Sequence, residues 1–513
     1  MLPSFRLALS LSCLFFLCPF SPRAADHANS PAPEIDVILW FDTEDYMLPA
    51  SDDSAKRLAE LLSERGIRAT FKVVGEKART LERRGRTDVI AALKKHAIGF
   101  HANYHSVHPT PTEYLADCGW LDGVAEFVRR EGPGAADVRR VFGVDTLVCY
   151  GQPGSSWGAQ TYAGLKSIGI APHGVPCYVD EGDHVGLDEK PFWYDGVLTV
   201  YHMGKNYTRM DLHDPGAVAP AKEKATQIAQ RLRNDGGGLI SIFYHPCEWV
   251  HQEFWDGVNF RRGANPPREE WKAPPQRTTA ETEGAFERFA SYIDHIRAIP
   301  GVRFVTADDL PLLYPDRAQT AGAETKTLDA IASKILGQEK SGLDFVVLDG
   351  ESFSLADQFD LLTRGVAARF GQTQFNFPFK TRGLLGPDSA VGSSRALTEV
   401  PFAAFRDATR DVLNFIQREG RVPSRVFFGS DAIAPADYLV ALADVWQNSI
   451  TSPAIRLRHA TPLLPEHRVA ADTPGLFGGW VIHKENFRAP KVMEMAKLQA
   501  WTLKPALRAL PLN

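Results

Sequence analysis

Residues 35–41 (IDVILWF) are apolar at every position but Asp36. A run of that length without period-two alternation has no face to turn to water. It reads as a strand covered on both sides, the pattern of a parallel sheet. Residues 69–74 (ATFKVV), 146–150 (TLVCY) and 239–244 (LISIFY) repeat the pattern, and 302–306 adds a short further strand. Helical stretches lie between them. Residues 54–65 put Leu58, Leu61 and Leu62 on one face, with Gly66 as a stop, and residues 87–95 and 286–298 follow the same logic. Strand and helix in alternation predict an α/β fold on a parallel barrel or sheet.

A chain of 513 residues exceeds one ordinary domain. Arg6, an apolar run over 7–20 and small residues at Ala24 and Ala25 form the order of a signal peptide over 1–25. The run is too short to span a bilayer. The mature chain is therefore expected to carry no transmembrane segment and to be exported, periplasmic or secreted. A net charge of -5 leaves no broad basic field, which argues against nucleic acid as a partner. Cys118, Cys149, Cys177 and Cys247 remain after the leader and allow three pairings in an oxidising compartment. None lies in a Cys-x-x-Cys arrangement, so a thiolate metal site is not expected.

Residues 317–326 (RAQTAGAETK) lack large apolar side chains and read as a linker between a catalytic region, 35–316, and an accessory region, 327–513. Residues 402–419 of the latter space Phe405, Ala408, Val412, Phe415 and Ile416 as a helix. Segments 354–366 and 434–446 share an Ala-Asp pair and a later Leu at matching offsets, the mark of a unit used twice.

Three clusters carry chemistry. Asp42-Thr43-Glu44-Asp45 follows the first strand, and three carboxylates in four residues repel one another unless a cation or proton intervenes. His101 and His105 stand at i and i+4, a spacing that puts both imidazoles on one face of a helical turn, where they can chelate one ion. His96 and His108 read as structural. His245 ends the strand over 239–244, with Glu248 and Trp249 behind it, where parallel α/β enzymes build their sites.

Taken together, the three clusters and their flanks resemble the polysaccharide deacetylase family, carbohydrate esterase family 4. The likeness lies in FDTED over 41–45, GIRATFKVVG over 66–75, IGFHANYH over 98–105, FYHPCEW over 243–249 and GVRFVTADDL over 301–310. FDTED and FYHPCEW resemble the subset that opens with Asp-x-Glu-Asp. The resemblance implies a distorted (β/α)7 barrel over 35–316, followed by a smaller, largely helical C-terminal domain. It implies one divalent metal ion, with Zn2+ the ion that imidazole ligands suit. Its ligands would be His101, His105 and Glu44, with Asp45 as the alternative to Glu44. Asp42 would be the catalytic base and His245 the general acid.

The implied function is metal-dependent removal of N- or O-linked acetyl groups from an acetylated polysaccharide or oligosaccharide. Alternatives are hydrolysis of another amide or ester, or a non-catalytic glycan-binding protein on the same scaffold. Pro153, Trp157 and Trp249 are the expected substrate contacts. One departure stands out. The family's third motif carries an Arg that orients the base, and residues 150–157 (YGQPGSSW) keep the Pro without the Arg. Gln152, or a cation from elsewhere, would have to fill that place. Asp180 and Asp183 are candidates for the fourth motif.

Overall fold

The computed structural model describes residues 35–374, 376–390, 392, 397–448 and 453–509. The expected signal peptide lies outside the described residues. The first strand, β1 (Ile35–Thr43), is buried along its whole length. On one side it pairs in parallel with Gly238–Tyr244 (β7) from Ile35 to Phe41. On the other it is shared: Ile35 to Ile38 pair with Val302–Val305 (β8), and Trp40 to Thr43 with Thr70–Val73 (β2). Strand β2 in turn pairs in parallel with Ala97–Phe100 (β3). A strand flanked on both edges and covered on both faces must be apolar throughout, which accounts for the IDVILWF run. Its one charged residue, Asp36, is buried between Arg303 at 2.7 Å and Arg508 at 2.9 Å.

Beyond β3 the pairing thins. Residues 146–150, expected as a full strand, make only single parallel bridges: Leu147 to Ile170, and Tyr150 to both Phe100 and Tyr178. Three short strands follow, Cys177–Val179 (β4), Phe192–Tyr194 (β5) and Val197–Val200 (β6), with β4 and β6 parallel and β5 antiparallel to β6. Helices Pro49–Glu64, Thr87–Leu93 and Thr279–Ala298 stand where the periodicity predicts them, the first and last starting several residues early. Cys118, Cys149, Cys177 and Cys247 are all free thiols, so none of the three pairings forms. Among the described residues no helix is long and apolar enough to cross a membrane.

The stretch 317–326 is not a bare spacer. It holds the helical turn Arg317–Thr320, with Ala318 and Ala323 buried, and the start of helix Thr325–Gln338. Beyond it the duplicated unit is plain. Helix Thr325–Gln338, hairpin Val346–Leu348 with Glu351–Phe353, and helix Leu355–Arg369 are echoed by helix Phe402–Glu419, hairpin Val426–Phe428 with Asp431–Ile433, and helix Pro435–Gln447. The C-terminal segment then returns to the first region. Lys504 and Pro505 add an antiparallel ladder to β5. Buried Lys504 bridges Asp316 and Asp357, each at 2.8 Å.

Candidate active site

The site forms where β1, β2, β3 and β7 end. The register sets Asp42 beside Lys72, and Lys72 beside Gly99. Lys72 is fully buried. Its ammonium lies 2.9 Å from Asp42 Oδ1 and 2.7 Å from Asp180 Oδ2, and 4.1 Å over the Trp40 ring. A buried ammonium is tolerable only with such partners. Burial alone would raise the Asp42 carboxyl, but His101 and then Lys72 overcome it and hold it below its usual value. Asp180 goes the other way, pushed up to about 7 by burial despite Lys72, with Asp42 adding to the rise. Lys72 thus sets a cation beside Asp42, where residues 150–157 supply none. Gln152 does not take that place: its Oε1 accepts from the Tyr178 hydroxyl at 2.7 Å and the Tyr201 hydroxyl at 3.1 Å, and its Nε2 donates to Gly154 O.

His101 and His105 converge, but not on a helix. Residues 101–109 form turns after β3, and Ala102 and His105 adopt positive φ of 65° and 59°. The loop is held by helix Gly75–Arg83, whose first amides donate to Ala102 O at 3.0 Å and Asn103 O at 2.9 Å. From below, the Asn103 amide donates to Glu131 Oε2 at 2.6 Å. A side chain at Gly75 would collide with this arrangement, its Cβ falling 2.7 Å from Gly134 Cα. His101 Nδ1 faces Gly151 O at 3.1 Å and His105 Nδ1 faces Ser106 Oγ at 2.6 Å, which leaves both Nε2 atoms turned inward. Burial holds His101 down at about 4, so it is neutral with its lone pair free.

Glu44 completes the set. Its Oε2 lies 2.8 Å from His105 Nε2 and 3.7 Å from His101 Nε2. Glu44 Oε1 and His105 Nε2 are nonetheless buried without a hydrogen-bond partner. Donor atoms that crowd together yet are not aligned on one another fit a shared cation better than a mutual hydrogen bond. Glu44, His101 and His105 bring their ligand atoms within 4.8 Å of one another, so the donor set fits a divalent ion. Asp45 is turned away: it accepts from the Met47 amide at 2.7 Å and from Ser51 Oγ at the start of helix Pro49–Glu64.

His245 stands on the far side of Asp42, with Nε2 3.7 Å from Asp42 Oδ2. Its Nδ1 meets Glu248 Oε1 at 2.6 Å, and Glu248 also accepts the His245 amide and pairs with Arg209. Burial would lower the imidazole, but Glu248 outweighs it, with help from Glu44 and Asp42, and raises it to about 9. Asp42, Glu44, His101, His105 and His245 line a cavity of about 530 Å³, with Asp180, Glu181, Phe254, Asp256 and Trp480 on its walls.

Of the other expected residues, Trp157 and Trp249 are fully buried and Pro153 is buried. Trp157 stacks on His184, and Trp249 packs against Phe286, Phe289 and Tyr244, so neither offers a face to a substrate. Asp183 is exposed beside His202. His96 and His108 are structural: the first ties Ala59 O to the Ala69 amide, the second pairs with Glu113. Lys72, Asp256 and Trp480 were not anticipated. A lysine in the middle of the apolar run ATFKVV was the available signal for Lys72.

No family model matches the chain, and no curated protein does. Solved structures do resemble it distantly. A family 4 carbohydrate esterase from Streptomyces lividans in complex with acetate is 16% identical over 53% of this chain and 92% of its own, with a TM-score of 0.27. A family 4 acetyl xylan esterase from Clostridium thermocellum, in complex with a cobalt ion, is 16% identical over 54% and 90%, with a TM-score of 0.26. The Xyl-CE4 domain of a multidomain xylanase from the hindgut metagenome of Trinervitermes trinervoides is 11% identical over 54% and 90%, with a TM-score of 0.29. Similarity at this level does not carry an activity to this chain.

Proposed function

We propose that the chain is a metal-dependent hydrolase that removes N- or O-linked acetyl groups from an extracytoplasmic polysaccharide. The observation that carries the reading is the inward-facing trio of Glu44, His101 and His105, with two of its donor atoms buried and unpartnered, set beside Asp42. A divalent ion held by that trio, Zn2+ being suited to it, would supply Lewis-acid polarisation of the acetyl carbonyl and ease loss of a proton from water.

The remaining chemistry belongs to the side chains. Lys72 pins Asp42 Oδ1 and keeps the carboxylate charged, which leaves Oδ2 toward the cavity to accept the proton of the attacking water. His245, kept protonated by Glu248, donates to the departing nitrogen or oxygen of the sugar. Base and acid stand 3.7 Å apart at the cavity, where low permittivity strengthens their interactions with developing charge. A distorted (β/α)7 barrel is part of this reading. Single bridges at Tyr150 beyond β3 and at Tyr207 beside β7 extend the parallel run on both flanks. The motif resemblance and a cavity large enough for a sugar support a glycan substrate. The leader expected over 1–25 supports export.

Acetate release from a panel of acetylated glycans, with chelator and then with added Zn2+, tests the reading. Activity is expected to vanish with chelation and return with metal. Asp42→Asn is expected to bind Zn2+ as the wild type does and to lose about 10²- to 10⁴-fold in turnover. Turnover that survives complete metal removal, or an Asp42→Asn variant at full rate, would end it.

A further inference from the structure

We propose that Trp480, carried by the C-terminal arm 473–487, is a specificity-determining residue of the glycan site, its indole forming the wall against which the sugar bearing the acetyl group packs. The inference rests on the deacetylase reading above and names a contact within that site.

Trp480 and its neighbours Gly479 and Val481 line the same cavity as Asp42, Glu44, His101 and His105, although more than 370 residues separate them in sequence. The indole is held from three directions. Its Nε1 donates to Asp256 Oδ2 at 2.7 Å. It meets the ring of His105 edge-on, at 5.3 Å and 80°. Beneath it lies Gly154, at φ +50°, where a Cβ would fall 2.3 Å from the indole. Only glycine lets the ring lie there and also takes that backbone angle without strain.

The arm itself is fastened to both banks of the cavity. Ser155 Oγ donates to Phe477 O at 2.6 Å on one bank. On the other, the amides of Arg262 and Gly263 donate to Val481 O at 2.9 Å and Ile482 O at 2.6 Å. Those two banks are the loop over 150–157, whose Gly151 O meets His101, and the turn Arg261–Gly263 that follows helix Trp255–Asn259. Trp480 is only partly buried and lines the cavity, unlike Trp157 and Trp249. A ring with an apolar face and its one polar atom already satisfied suits the CH face of a sugar. Its fixed orientation leaves little freedom to lose on binding.

The test uses the full chain loaded with Zn2+, and compares the wild type with Trp480→Ala and Trp480→Phe. Substrates are acetylated oligosaccharides from the panel and 4-nitrophenyl acetate, which has no sugar. For Trp480→Ala, KM on the hydrolysed oligosaccharide is expected to rise about tenfold or more with kcat within about threefold. The loss on 4-nitrophenyl acetate is expected to be several-fold smaller than the loss in kcat/KM on the oligosaccharide. Trp480→Phe is expected to recover most of the oligosaccharide KM, and it carries the test if the alanine variant fails to fold. An unchanged KM in Trp480→Ala, or an equal loss on both substrates, overturns the proposal. Wild-type protein that binds Zn2+ but neither binds nor deacetylates any glycan overturns the deacetylase reading and this contact with it. Acetate release by the wild type with no effect at Trp480 overturns this contact alone.

Discussion

Replacing Lys72 by Met removes one charge and little volume, so the cost falls almost wholly on electrostatics. The ammonium sits 2.9 Å from Asp42 and 2.7 Å from Asp180 with no exposure of its own. At an effective permittivity near 20, each contact is worth roughly 6 kcal/mol by Coulomb's law. Taking the three charges out of water costs several kcal/mol per ion, so the net value of the cluster is far smaller. Removal of the cation recovers only its own share of that cost and leaves two acidic side chains buried against each other. The expected loss is about 3–5 kcal/mol of stability. That is a fifth or more of the roughly 5–15 kcal/mol that a folded domain has to spare.

Equilibrium urea denaturation followed by tryptophan fluorescence, on wild type and variant side by side, measures it as a fall in the midpoint. Lys72→Met/Asp180→Asn removes the second charge as well and is expected to recover about half of the loss, as neighbouring charges couple. Turnover should not recover, because Asp42 still lacks the group that places it. A Lys72→Met unfolding free energy within about 0.5 kcal/mol of wild type would refute the claim that the ammonium holds these carboxylates together. So would a double variant no more stable than the single.

Two further perturbations probe individual groups. Glu248→Gln keeps the shape beside His245 but removes the charge that raises its imidazole to about 9. The acid must be protonated to act, so the alkaline fall in kcat/KM is expected to move to lower pH. The loss at about pH 8 should be at least about tenfold, with little change near pH 6. An alkaline limb that does not move would contradict the pairing. Glu131 is buried beneath the Asn103 amide, and burial lifts it from an ordinary 4.5 to about 7. Its folded form holds the proton more tightly. The stability it contributes is therefore complete below about 4.5 and is lost as pH rises through about 7. Glu131→Gln escapes that loss and should gain on wild type across this window, by at most about 3 kcal/mol. Denaturation midpoints whose difference stays flat from about pH 5 to about pH 8 would rule this out.

Much of the candidate site was legible because its residues sit at strand ends. A strand buried on both faces advertises itself as an unbroken apolar run, and the first polar residues after it must emerge at the sheet's rim. Asp42, Glu44 and His245 follow that rule on β1 and β7, and His101 follows it on β3. The His101/His105 pair was legible as a pair but not as a conformation. Spacing of four suggests a helical turn, and the chain reaches the same convergence through two left-handed residues in a loop. Helix Trp120–Phe142 carries Gly132-Pro133-Gly134 in its interior. The helix runs through it because Gly134 is where the Asn103 loop packs, a side chain there falling 2.7 Å from Asn103 Oδ1. Local rules weigh a residue's own preferences and not a neighbour more than thirty positions away.

What sequence patterns hid is the second half of the chain's share in the site. Residues 317–326 looked like a spacer because they lack large side chains, yet small ones pack as well where the gap is small: Ala318 and Ala323 are buried. Beyond them, three late residues reach back to the first region by charge or by ring. Arg508 neutralises Asp36 inside β1, Lys504 joins Asp316 to Asp357, and Trp480 stands against His105. Each answers a need created far earlier in the chain: a carboxylate in a buried strand, a crowded pair of acids, an imidazole ring open on one side. Such needs are visible in the first region, but which distant residue meets them is decided only by the fold. A region that supplies counter-charges to the sheet and a wall to the cavity is a structural part of the site's surroundings.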